Sequence, residues 1–192
     1  MLQTMKFHLK RIDFFIGYEV VCALSVALIL DKSGNILFCL LASLIHEFGH
    51  LFFMLIYKVR IRSITFRLFD ILILADSPKN YKSDMIITSG GIFFNFLFAA
   101  LFYFINYKLF IANLVIGIFN LLPVESLDGA QLLSHLLLRF FYFNIVNIVI
   151  KILSFVFLVP FMVCGIYVLI NTKYNYSLLF ISLYILVILM KK

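Results

Sequence analysis

Long apolar runs alternate with short polar breaks along this chain, and that spacing predicts helices that cross a membrane. A helix needs about 20 apolar residues to span the hydrocarbon core. Six runs approach or exceed that length, at about 14–30, 36–57, 84–106, 109–138, 145–170 and 176–190. The fourth is interrupted at Leu122-Pro123 and again at Asp128-Gly129. Between the second and third runs the period changes. Val59-Arg60-Ile61-Arg62 alternates, and Ile64-Thr65-Phe66-Arg67-Leu68 alternates with a shifted phase. Period two with β-branched residues reads as strand, with the apolar Ile71 to Leu74 as a hairpin partner. The expected fold class is therefore an all-α polytopic membrane protein with about six transmembrane helices. A short β-like segment at about 59–74 and a single integral membrane domain, 1–192, complete the expectation.

Composition agrees. The chain has 192 residues, 65% of them hydrophobic and 13% charged, with a mean hydropathy of +1.13. That lies outside the soluble globular range and leaves no room for a separate soluble domain of ordinary size. The net charge of +7 does not point to nucleic acid, because the basic residues border the apolar runs. They follow topology, and the bilayer is the partner they imply. With a cytoplasmic N-terminus and six spans, thirteen of the 16 Lys and Arg fall on the cytoplasmic side, all but Lys32, Lys108 and Lys173. That bias places both termini in the cytoplasm. Cys22, Cys39 and Cys164 fall in apolar runs at unrelated spacings, so neither a disulfide framework nor a cysteine metal site follows. Met1 to Asp13 lacks a clear small-residue cleavage site before the first run, and an uncleaved first span is expected.

The second run contains His46-Glu47-Phe48-Gly49-His50, an H-E-x-x-H motif. On a helix the two histidines lie one turn apart on one face, so both imidazoles can reach one metal. Glu47 follows the first and can act as general base on water. A charge at membrane depth costs roughly 2.5 kcal/mol or more, so such residues mark function. A zinc protease site needs a third protein ligand and one open position. Asp128 offers a hard oxygen at the second interruption of the fourth run, and Glu125 is the alternative. Pro123 and Gly129 let the chain break there. His50 lies about 12 Å along a helix from Lys58 and Asp128 about 16 Å from Arg139, so the two candidates share a depth in the cytoplasmic half. His135 stands about 10 Å along the axis from Asp128, too far to share its metal.

H-E-x-x-H in one span, followed in a later span by N-x-x-P-x-x-x-x-D-G at Asn120 to Gly129, resembles the site-2 protease family of intramembrane metalloproteases. Ser89-Gly90-Gly91-Ile92-Phe93-Phe94-Asn95 is similar to the small-residue and asparagine motif of that family's intervening span. The resemblance covers about 36–138, the family's catalytic core, with C-terminal helices at about 145–190. It is greatest to the sporulation branch, typified by the stage IV sporulation FB protease, without the CBS domain common there. It implies one Zn2+ per chain, held by His46, His50 and Asp128, with Glu47 as general base. Asn95 and Asn120 would position substrate or stabilise the oxyanion, and segment 59–74 would match the family's membrane-associated strands. The implied activity is hydrolysis of peptide bonds in or near transmembrane segments in a bacterial cell membrane. Its implied partners are a membrane-protein substrate and regulatory membrane proteins, with no nucleic acid. The contrasting expectation is an inactive membrane scaffold of the same fold, against which the retained Glu47 argues.

Overall fold

The computed structural model describes residues 4–9, 12–31, 33–66, 71–76, 80–172, 179, 182, 183 and 186. Among these residues, four strands and six helices follow one another. They are β1 (Thr4–Leu9), β2 (Ile12–Gly17), α1 (Tyr18–Leu30), α2 (Asn35–Ile56), β3 (Ile61–Phe66), β4 (Ile71–Ala75), α3 (Tyr81–Phe102), α4 (Tyr107–Asn120), α5 (Asp128–Leu137) and α6 (Phe143–Thr172). Three helices, α2, α3 and α6, are long and apolar enough to cross a membrane, and α1 and α4 are apolar but shorter. Large apolar side chains stay exposed along them, Leu37, Leu41, Leu44, Phe48 and Leu55 on α2 among others. Water would not tolerate that surface in a soluble monomer, whereas lipid does. The chain is a helical, polytopic membrane protein.

It forms two compact units, Met1–Gly117 and Ile118–Lys192. The first holds a four-stranded sheet of order β1-β2-β3-β4. β1 and β2 form an antiparallel hairpin, β2 pairs parallel to β3 with Phe14 opposite Ile64, and β4 folds back antiparallel on β3 with Ile73 opposite Ile64. The sheet is larger than the expected segment 59–74. Residues 14–17, expected to begin the first span, belong instead to β2, because Phe14, Phe15 and Ile16 have a partner strand at 64–66. What remains of that span is α1, 13 residues or about 20 Å. β3 is also interior, so Ile64 and Phe66 are paired on both sides. In the described sheet the open edges belong to β1 and β4. The register slips between Ile61 and Ser63, and Arg62, at that irregularity, pairs with Asp76 just beyond β4.

Local signals set the helix starts. The Asp31 carboxylate accepts the Ile36 N–H at 2.6 Å and the Ser33 N–H at 2.9 Å, capping α2 from the left-handed turn at Gly34 (φ 68°). The Ser33 hydroxyl and the Ile36 N–H hold the Asp31 carboxyl below the usual carboxylate range. Asn80 and Ser83 form a capping box that starts α3 at Tyr81, earlier than the apolar run alone indicates. Asn106 accepts the Leu109 N–H at 3.1 Å and opens α4.

In the second unit the interrupted fourth run is a real break. α4 ends at Asn120, residues 121–127 form tight turns, and α5 begins at Asp128. Val124 and Leu158 are buried together against Phe119, Leu122, Leu127 and Phe157. The Glu125 N–H donates to Ser154 Oγ at 2.9 Å, which fastens the turn to α6. Gly129 lies against the Leu121 and Leu122 carbonyls, where a Cβ would overlap them. The chain can reverse there only because residue 129 has no side chain. Of the expected last span, 176–190, residues 179, 182, 183 and 186 are described, and all are helical.

Candidate metal centre

The H-E-x-x-H turn sits in the middle of α2 and faces α3. His46 is buried, while Glu47 and His50 are half-buried. Gly49, between the histidines, lets the helices touch backbone to backbone. A Cβ at Gly49 would overlap the Gly90 carbonyl, and one at Gly90 would stand 2.7 Å from Gly49 O. Gly91 lies against the imidazoles themselves. A Cβ there would be 2.5 Å from His50 Nε2 and 2.7 Å from His46 Nε2. The small-residue pair therefore does two things: Gly90 brings α3 close to α2, and Gly91 leaves room for the rings.

Both rings are held at Nδ1. His46 Nδ1 is 2.6 Å from Asn95 Oδ1, and His50 Nδ1 is 2.9 Å from the Ile87 carbonyl oxygen. A carbonyl oxygen only accepts, so each Nδ1 carries a proton and donates it. In a neutral imidazole the Nε2 atom then presents a lone pair. The two Nε2 atoms are 3.2 Å apart, with the rings edge to face at 81°. Two lone pairs at that distance repel, and a cation shared between them relieves the repulsion. Nitrogens held at about 2.0–2.1 Å by a tetrahedral zinc stand about 3.3 Å apart. The pair therefore fits a zinc ion in tautomer and separation. Second-layer acceptors on Nδ1 are the usual companions of such ligands.

Asn95 is fully buried on α3, and its two amide hydrogens go to the Ala42 carbonyl and Asn113 Oδ1, both at 3.0 Å. Neither remains for an oxyanion, and its oxygen holds His46. In this structure Asn95 is directed at the His46 ring, not at open space. Its sequence signal was present: Gly91 and Asn95, four apart, share the face of α3 that meets the histidines. Around the pair, Phe94 is buried among Phe48, Phe52 and Phe98, with ring centroids 5.7, 5.3 and 6.1 Å away. These rings pack α2 against α3 beside the histidine turn.

The second unit carries the remaining expected residues. Asp128 is the first residue of α5 and half-buried, and Asn120 is the last of α4. Glu125 lies in the turn between them, and His135 is in the last turn of α5.

Fold and histidine pair together define a polytopic helical membrane protein with a metal-competent imidazole pair inside a span. No protein-family model and no curated protein matches the chain. The structure is similar to that of a site-2 protease from Methanocaldococcus jannaschii, with a TM-score of 0.69 and 19% identity over 95% of this chain and 92% of that one. The fold is that of a site-2 protease.

Proposed function

We propose that the chain is an intramembrane zinc metalloendopeptidase of the site-2 protease type, with its N-terminus in the cytoplasm and its catalytic core at 36–138. In this reading His46, His50 and Asp128 hold one zinc ion. Two imidazoles and a carboxylate are a donor set that suits zinc and leaves a fourth position for water or substrate. The observation that carries the proposal is the histidine pair, with Nδ1 fixed as donor on each ring and Nε2 atoms 3.2 Å apart. Zinc, when bound, polarises a carbonyl and brings the acidity of coordinated water near neutrality. Glu47 takes the proton of the attacking water and later delivers it to the leaving amine. Asn120, at the break after α4, positions the substrate or donates to the oxyanion. Within the family the sporulation branch remains the preferred assignment, on the expected six spans and cytoplasmic termini.

A direct test is metal content and cleavage together. Protein purified in detergent should carry about one zinc per chain. It should cut a reconstituted single-span substrate, stop with a chelator and recover with added zinc. Zinc-free protein that still cleaves would overturn the reading.

A helical substrate hides its scissile carbonyl in its own hydrogen bonds and must unwind to be cut. Its freed backbone groups need new partners at membrane depth. Since β3 is paired on both sides, the strand left for such pairing beyond α2 is β4. Substrates carrying N-methylated backbone amides around the scissile bond should therefore be cut more slowly than their parents. Equal rates would remove strand pairing from the mechanism.

A further inference from the structure

Asn113 touches neither histidine, yet it closes a chain of hydrogen bonds that ends on one of them. Its Nδ2 donates to the Leu109 carbonyl at 2.9 Å, which fixes the orientation of its amide. Its Oδ1 then faces Asn95 Nδ2 at 3.0 Å. That contact, with the one from Asn95 Nδ2 to Ala42 O, sets which end of the Asn95 amide meets His46. If the Asn95 amide were turned over, its oxygen would face two acceptors and its NH2 would face His46 Nδ1. The ring would then be driven to the tautomer with its proton on Nε2, where a metal has to bind. Asn95 and Asn113 are both fully buried, so water cannot replace either partner. A second feature of α4 agrees. Gly117, one turn beyond Asn113, lies against Asn95, and a Cβ there would be 3.2 Å from Asn95 Cβ. α4 thus presents a small residue and an amide, four apart, to the same asparagine.

We propose that Asn113 is a positioning residue for the metal site: through Asn95 it holds the His46 ring with Nδ1 protonated and Nε2 toward the metal. The proposal rests on the reading of His46 and His50 as zinc ligands. It predicts a graded series in zinc affinity, read by competition with a chromogenic chelator. Second-layer changes weaken metal binding about 10–100-fold. Asn95→Leu should fall in that range and Asn113→Leu at about its lower end, tenfold. Asn113→Asp, protonated in this buried setting, keeps an acceptor toward Asn95 and a donor toward the Leu109 carbonyl. It should restore affinity to within about threefold of wild type, an outcome that loss of packing alone would not give. Nitrogen NMR of histidine-labelled, metal-free wild type adds a measurement that needs no variant. His46 should be the Nδ1–H tautomer. A dominant Nε2–H tautomer overturns the proposal, as does wild-type affinity in Asn113→Leu. Absence of zinc binding in wild type would instead sink the metal reading itself, and the inference with it.

Discussion

Glu47→Gln should keep its zinc and lose peptide-bond cleavage. The substitution preserves the size and shape of the side chain and leaves His46 and His50 untouched, so metal content should match wild type. The amide cannot take a proton from the attacking water. A positioned general base is worth about 10²–10⁴-fold in rate, and the fall should lie in that range or beyond it. Zinc content and turnover must be measured on the same preparation. Near-normal turnover would remove Glu47 from the chemistry. It would leave the scaffold alternative weakened as well, since a scaffold has no turnover to preserve.

Asp128→Ala should empty the site. Replacing a second-layer partner weakens metal binding about 10–100-fold, and removing a ligand should do more. Glu125→Ala is the matched control. Glu125 is tied to α6 through its backbone N–H on Ser154 Oγ, a bond its side chain does not make. The Glu125→Ala variant should therefore keep both the turn and the zinc. The reverse pattern, zinc lost with Glu125→Ala and kept with Asp128→Ala, would transfer the third ligand to Glu125. Loss in both would make the break after α4 a two-carboxylate site.

What was legible in the sequence was local. The histidines are one turn apart on any helix, so their sharing of a face followed from spacing. The break after Asn120 followed from Pro123 and Gly129, which act on their own stretch of backbone. What was hidden depended on partners far along the chain. Phe14 to Ile16 reads as the beginning of an apolar run, and only pairing with residues 64–66 makes it strand. Asn95 was visible as a polar residue in a span, but its direction was not. Whether the amide faces open space or a histidine Nδ1 depends on Ala42 and Asn113, which lie on two other helices. Asn113 itself stood out in no motif. In hindsight the signal was an asparagine and a glycine four apart, in each of two apolar helices.

The parallel pairing of β2 with β3 also dictates how they are joined. Antiparallel neighbours can be linked by a tight hairpin, whereas parallel neighbours need a long crossover that carries the chain back to the starting end of the sheet. Asp13 sits beside Ser63 and Ile16 beside Phe66, so the chain leaves β2 at one end of the pair and re-enters β3 at the other. α1 and α2 make up that crossover. The turn that carries both histidines is therefore tethered at its two ends to adjacent strands of one sheet.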